Sequence, residues 1–486
     1  MPNPISSLDD LHAILDPSAI VTDPEAMAPH LTDWRGKHRG EAFALLRPRS
    51  VEEVSAILRW ASATRTPVVP QGGNTGLSGG ATPDASGDAV VLSLTRLNRI
   101  RAIDIEGDTL TAEAGCILAD IQQAAAANDR LFPLSLGSEG SCQIGGVVAT
   151  NAGGINVIRY GTVRDLVLGL EYVRADGAVI HGLKPLRKDN AGYALKELVI
   201  GSDGTLAVVT AATFRLFPRP RASATALCGL DSPSAALKLL SMLKQSAGER
   251  ISSFELMCDG EMGLTLDLVP GTILPLEGRH AWYVFIELGD SDPNSPIGEL
   301  LTETLATALE QGLLQDAAIA QSEAQARAIW HLRFAVAEAN RRAGLSVSHD
   351  TSVAVADVPA FIAAIETMAA ERLPNARSLR RPCRRRQHSC RPAPSQGDAG
   401  GAARGYRPCR ECTGLRDHPR FRRQHHRRAR HRPQPDRHAD AACPAGGAGA
   451  DESGQASLRP ARHPQSRRGP REEVTLRAAE RNTRNI

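Results

Sequence analysis

The chain has 486 residues, 42% of them hydrophobic and only 4% aromatic, with a formal net charge of +3. That length holds two or three domains and a large core. The longest apolar runs, such as Ala89-Val90-Val91-Leu92, are far too short for a bilayer, so no transmembrane segment is expected.

Met1–Asp10 shows no basic stretch leading into an apolar one, so no secretory signal is expected. Cys116, Cys142, Cys228 and Cys258 are scattered as free thiols would be, which points to a reducing cytoplasm. Ser50 with Glu53 three residues on predicts a capping box. The helix it starts puts Val51, Val54, Ile57, Leu58 and Ala61 on one face. Thr66–Val69 reads as a short buried strand. Pro70-Gln71-Gly72-Gly73-Asn74-Thr75-Gly76-Leu77-Ser78-Gly79-Gly80 follows, and its five glycines leave backbone N–H groups bare for an anion such as phosphate. Asp88–Ser93 reads as a strand, Ile100–Ile105 and Thr109–Glu113 as a hairpin, and Ile117–Asn128 as an Ala-rich helix.

A second glycine-rich run spans Gly137 to Gly154 and holds Gly137, Ser138, Ser141, Gly145, Gly146, Thr150, Asn151, Gly153 and Gly154. One such loop alone reads equally well as a plain turn. Two cradles point to a ligand with two phosphates, such as a dinucleotide. Val167–Arg174 and Ala178–His181 read as a hairpin about Ala175-Asp176-Gly177, and Ala207–Leu216 as a buried strand. Pro218-Arg219-Pro220 closes that region. Beyond it, strands at Ala224–Leu230, Ser252–Met257 and Trp282–Glu287 alternate with helices at Ser232–Ser246, Pro296–Gln311 and Val358–Arg372. That pattern predicts a second, α+β domain on a mostly antiparallel sheet.

PQGGNTGLSGG (70–80), EAGCIL (113–118), GSEGSCQIGGVVATNAGG (137–154), IRYGTVRDLVLGLE (158–171), LRKDNAGY (186–193) and IGSDGTL (200–206) stand in this order, with DWRG at 33–36. Over residues 30–376 the chain thereby resembles the FAD-dependent D-2-hydroxyacid dehydrogenases, which include enzymes of D-2-hydroxyglutarate and D-lactate and the glycolate oxidase flavin subunit. The resemblance implies an α+β protein: a bipartite FAD-binding domain of the vanillyl-alcohol-oxidase (PCMH) type plus an α+β cap. It divides the chain into an N-terminal segment (1–41), an FAD-binding domain (42–221), a truncated cap (222–376) and a tail (377–486).

It also implies the site. Pro70, Gly72, Gly73, Asn74, Thr75, Gly76 and Leu77, with the second loop's residues named above, would hold the pyrophosphate. Tyr160, Gly161, Ile200 and Gly201 would line the adenosine or ribityl side. The first loop has no His for covalent attachment, so noncovalent FAD is expected. Trp330-His331-Leu332-Arg333 matches the family's W-x-L-R segment, and Arg333 would pair with the substrate carboxylate. A family lysine falls on Ser348, and Asp203 replaces a glutamate. Implied partners are a small 2-hydroxyacid and an electron acceptor such as an electron-transfer flavoprotein or quinone. The family's general base and its two-His, one-Glu metal site come from two C-terminal motifs, approximately HVGDGNIH and AEHGIG.

Neither motif stands in the chain. Residues 377–486 hold 27 Arg, no Lys and 10 Asp and Glu, a net +17, whereas residues 1–376 carry −14. Cys409, Cys412, His425 and His426 invite a zinc or nucleic-acid reading. A different origin accounts for more. Codons can be chosen for Pro382–Arg391 that read HVGDGNIHV from their second nucleotide. The same shift turns Arg420–Pro435 into ASGGSITAEHGIGRS and Asp451–Pro470 into MKAVKRAFDPRGILNPGAV. Three motifs in order and in one frame make the tail a frameshift product. On this reading it is disordered for want of large apolar residues, binds neither zinc nor nucleic acid, and leaves the chain without catalytic or metal residues. The alternative is a flavin-binding module without turnover, or a subunit of a glycolate-oxidase-like complex.

Overall fold

The structure is a computed structural model that describes residues 8–344 and 350–372. Ser348 and the tail from residue 377 lie outside the described residues.

The first sheet is built from β1 (Ile20–Val21), β2 (Ala44–Leu46), β3 (Val68–Gln71) and β4 (Val90–Ser93), in the order β1-β2-β4-β3. β2 and β3 both run parallel to β4, and β1 is antiparallel to β2. Every residue of β2 and β4 is buried, which is why these strands read as unbroken apolar runs instead of alternating ones. Parallel neighbours need a crossover, and the helix Val51–Thr64 follows β2 and leads into β3. Its predicted apolar face is buried throughout. The capping box forms by half. Ser50 Oγ accepts from the Glu53 N–H at 3.2 Å, but the Glu53 carboxylate takes the Arg49 N–H at 2.6 Å, one residue before the box position.

β5 (Ile100–Asp104) and β6 (Thr109–Glu113) open the second sheet. β7 (Arg130–Leu131) lies in a separate two-stranded ribbon. β8 (Val167–Arg174), β9 (Val179–Gly182) and β10 (Ala207–Arg215) complete the sheet in the order β5-β6-β10-β8-β9, all antiparallel. β11 (Phe217–Pro218) closes the ribbon against β7. Leu110, Ala112, Leu170, Ala212 and Phe214 form one core with Phe132 and Ile121. The sheet also buries charge. Arg101 bridges Glu113 and Glu171 at 3.1 Å each, and Thr210 Oγ1 donates to Glu171 at 3.0 Å. Burial pushes the Glu113 carboxyl up, but hydrogen bonds from Arg99 and Arg101 outweigh it and hold the group below its ordinary value.

The third sheet consists of β12 (Ala222–Leu230), β13 (Ile251–Cys258), β14 (Trp282–Asp290) and β15 (Asp316–Ile319), antiparallel in the order β13-β14-β12-β15. Leu239 and Leu243 of the helix Pro233–Ala247, with Leu301 and Leu305 of Ile297–Glu310, cover Val284, Ile286 and Leu288. The helix Glu323–Phe334 covers the other face, where Trp330 and Leu332 pack with Leu227, Tyr283 and Phe285. Alternation along the strands separates these two cores. Arg159 ties this sheet to the chain before it by donating to Gly289 O at 2.7 Å and Ser252 Oγ at 3.2 Å.

Candidate cofactor and substrate site

The first glycine loop leaves β3 at Gln71, which is 1% exposed. Its amide donates to Ala81 O at 2.8 Å and to His30 O at 2.9 Å, so one side chain holds both the far end of the loop and the N-terminal segment. Its Oε1 meets His30 Nδ1. Asn74, at φ 51°, donates to Pro29 O at 3.0 Å and Thr32 O at 2.8 Å. No sequence pattern signals this clamp, because its acceptors are backbone carbonyls some forty residues away.

The two cradles meet at Gly73. A Cβ there would stand 1.9 Å from Ser141 O, a backbone atom that cannot swing aside. At Gly72 a Cβ would lie 3.3 Å from Gln143 Cβ. Gly145 lies so close to Ala114 that its N–H donates to Ala114 O at 2.7 Å. Among the described residues, no atom beyond the adjoining chain and helix backbone lies within 4 Å of a Cβ built on Gly76 or Gly146, so these positions keep open space where loops approach elsewhere. Ser138 O accepts from the N–H groups of Ser141 and Cys142, which curls the second loop. Thr150 Oγ1 donates back to Gly146 O at 2.9 Å, and Asn151 Oδ1 receives the Arg164 N–H at 2.9 Å.

The turn after Ile200 joins both loops. Gly201 N–H donates to Val148 O and Asp203 N–H to Ala149 O, while Gly204 lies against Pro70. Arg164 donates to Ile200 O at 2.6 Å, linking that turn to Asn151. Thus Pro70, Gly72, Gly73, Gly145, Gly146, Asn151, Ile200 and Gly201 converge. Gly154 is set apart by its approach to Ser135 O, and Gly153 by its contact with Val157. Gly161 turns the chain over Asp165. Tyr160 meets Phe217 edge to face, with ring centroids 4.7 Å apart, under the Arg159 guanidinium. Thr75 and Leu77 are not enclosed, and Leu77 is 44% exposed. Gly137 comes close to Phe334, the residue after Arg333.

Among the described residues, Gln143 Oε1, beside Gly72, and Ser202 Oγ, beside Gly201, are buried polar atoms without a partner. Bare glycine loops in contact, open space over Gly76 and Gly146, and orphaned polar atoms at the loop junctions fit a dinucleotide with its pyrophosphate over the loops. Among the described residues, no group of three or more His, Cys, Asp and Glu is placed to hold a metal.

Arg333 lies on the face of the third sheet that Trp330 covers. It is already engaged, with Nε and Nη2 donating to Glu255 Oε2 at 2.9 and 2.8 Å. The cavity beside it, about 310 Å³, is walled by Leu256, Cys258, Trp282, Val336 and Ile362. Trp330 Nε1 donates to Glu287 Oε2 at 2.8 Å. Two glutamates on neighbouring strands therefore pin the helix through residues three apart, which lie on one helical face. Sequence reasoning missed both glutamates. No strand pattern signals them, because each alternates with core neighbours, Phe254 and Leu256 or Ile286 and Leu288, as an outward residue does. Burial raises the Glu287 carboxyl, only partly countered by the Trp330 hydrogen bond. A raised acid takes up protons on folding, so its stability contribution is full below 4.5 and falls as pH rises toward its folded value. E287Q should therefore show a higher Tm than the parent at neutral pH and no advantage in acid, read from thermal melts across pH.

A layered α+β chain with two touching glycine cradles and a helix-covered antiparallel sheet defines the class of FAD-dependent oxidoreductases. The sequence matches the FAD binding domain family over residues 42–182 and the C-terminal domain of FAD linked oxidases over 219–378. It is 36% identical over 342 residues to D-2-hydroxyglutarate–pyruvate transhydrogenase of Saccharomyces cerevisiae, covering 70% of this chain and 68% of that protein. The chain belongs to the FAD-linked D-2-hydroxyacid dehydrogenase family. It is 39% identical over 355 residues to the mitochondrial D-2-hydroxyglutarate dehydrogenase of Bos taurus, covering 73% of this chain. The match spans 64% of that bovine protein, just under two thirds of its length. Among solved structures, alkyldihydroxyacetonephosphate synthase superposes with a TM-score of 0.54 at 16% identity, covering 69% of this chain and 66% of that one. The p-cresol methylhydroxylase structure gives 0.54 at 14%, covering 69% and 71%. These two establish the fold alone.

The cytoplasmic location expected from the sequence is overturned by the relatives, since the bovine, rat and Arabidopsis thaliana proteins are named mitochondrial. Its physical premise was also too weak. The four described cysteines are buried free thiols, and burial pushes Cys116 up to about 11. Such thiols stay protonated and unreactive, and so carry little information about compartment. No helix among the described residues is long and apolar enough to cross a membrane.

Proposed function

We propose that this gene encodes an FAD-dependent dehydrogenase of small D-2-hydroxyacids, of the D-2-hydroxyglutarate or D-lactate class, and that the chain as written binds FAD noncovalently without appreciable turnover. The observation that carries the first part is the junction of the two bare glycine loops at Gly73 and Ser141. The first-loop and second-loop residues named above, with Ile200 and Gly201, would hold the cofactor, with no His in the first loop to tether it. When bound, FAD supplies the two-electron acceptor for the substrate's α-hydrogen. The chain's own residues orient the acid. Glu255 holds Arg333 by its Nε and Nη2 side and leaves the Nη1 hydrogens for a substrate carboxylate. Trp330 and Glu287 fix the helix that carries this arginine. The electron acceptor is an electron-transfer flavoprotein or a quinone.

The second part rests on the tail. The FAD linked oxidase match stops at residue 378, where the composition turns Arg-rich. This supports a division into 1–41, 42–221, 222–376 and an out-of-frame 377–486. The alternative reading, a flavin-binding module without turnover, describes the same chain if the frame is biological. Dye reduction by D-lactate and D-2-hydroxyglutarate, measured on this chain and on one with a nucleotide restored, tests the assignment.

A further inference from the structure

A second cavity, about 430 Å³, is lined by parts of Ser18, His30, Arg47, Thr95 and Arg96, none of which belongs to either glycine loop. The topology explains its position. β2 and β4 are parallel, Arg47 directly follows β2, and Thr95 and Arg96 come just after β4 ends at Ser93. Crevices outside the carboxyl ends of parallel strands are where open α/β sheets bind ligands. His30 closes one side, held by its contact with Gln71 at the end of β3. Thr95 Oγ1 is bonded to Ser93 Oγ at 2.8 Å and accepts a long bond, 3.4 Å, from Gln143 Nε2 of the second glycine loop, and Ser18 Oγ donates to Asp16 Oδ1 at 2.6 Å. Arg96 donates only a long bond, 3.4 Å, to Arg47 O. Among the described residues neither guanidinium has a carboxylate within ion-pair distance. Arg49 and Arg96 both act electrostatically on the Asp16 carboxylate.

Two guanidiniums facing one cavity repel each other unless an anion or water shields them. They offer planar forks of donors that match phosphoryl oxygens, and the two hydroxyls and the imidazole add polar groups of adjustable direction. We propose that this cavity is an anion site, adjoining the cofactor cradle through Gln71 and Gln143 but built from other side chains, that takes a phosphoryl dianion: inorganic phosphate or the phosphate of a small phosphomonoester. Its volume leaves room for an organic group beside the phosphate. The proposal does not rest on the assigned dehydrogenase activity, because a chain without turnover would bind phosphate equally well.

The test is isothermal titration of the FAD-loaded full chain with inorganic phosphate, at constant ionic strength against chloride, with flavin absorbance recorded on every protein. Saturable phosphate binding is expected in the parent. R47Q and R96Q should each weaken it by about tenfold or more, the cost of one charge-assisted bond, with flavin content unchanged. T95V, at an exposed rim position, should weaken it less and serves if an arginine variant fails to fold. Absence of saturable binding in the parent, or equal binding by every variant, overturns the proposal. So does loss of flavin in R96Q or competition between phosphate and FAD, because the cavity would then belong to the cofactor's own pyrophosphate.

Discussion

A single nucleotide restored near the codon for Arg377 is expected to convert a chain with no measurable oxidation of D-lactate or D-2-hydroxyglutarate into an active dehydrogenase. The restored frame brings back HVGDGNIH and AEHGIG, which the family resemblance makes the source of the proton acceptor and the metal ligands. A positioned general base contributes about a hundred- to ten-thousand-fold in rate, and the polarising metal would return with it. On the frameshift reading proposed above, the seven histidines of the present tail would not substitute, because their spacing would follow codon phase and not a ligand geometry. The comparison is dye reduction by equal amounts of the two proteins, with and without added zinc. Equal turnover would refute the frameshift. Activity in neither would refute the substrate class.

The next largest effect is expected at Gly73. Alanine there drives its Cβ to within 1.9 Å of Ser141 O and also crowds Cys142 Cα. Both neighbours are backbone, so relief requires the two loops to separate. Overpacking of this kind costs about 1–3 kcal/mol in stability, and the separation removes the paired cradle itself. G73A should therefore purify with little or no flavin and a lowered Tm. G80A is the matched control. Its Cβ meets nothing within 4 Å, its φ is not in the left-handed region, and it should retain flavin at the parent level. The flavin-to-protein absorbance ratio of the two variants decides the matter. Equal ratios would show that contact between the loops is not what binds the cofactor.

Local chemistry is legible where one short stretch decides the outcome. The helix after Ser50, the hairpins at 100–113 and 167–182, and the glycine loops follow from spacing and residue type alone. The strand before the first glycine loop, β3, is legible in the same way, but β2 is not, and neither is the parallel pairing of both strands with β4, because partner choice depends on residues far apart in sequence. The helix Asp259–Leu268 is hidden in the sequence because its buried positions include Asp259 and Thr265 as well as Met262, which breaks the apolar stripe. Val336–Ala343 buries only Ala339 and so shows no stripe either. At the site, the glycines stand out because glycine is informative by itself. Glu255 and Glu287 do not, because a glutamate inside a strand looks like an outward residue until its partner, Arg333 or Trp330, is brought over it. Arg333 is identified by its motif, but nothing in the sequence signals that it is already paired.

The central claim is that two glycine loops in this chain make one noncovalent FAD site. The most direct measurement is the visible spectrum and flavin stoichiometry of the purified full chain, before and after incubation with FAD, followed by acid precipitation. The account predicts one flavin per chain, with the flavin released to the supernatant on precipitation. Protein that stays colourless after FAD is added would contradict the site, and flavin that remains in the precipitate would contradict its noncovalent character.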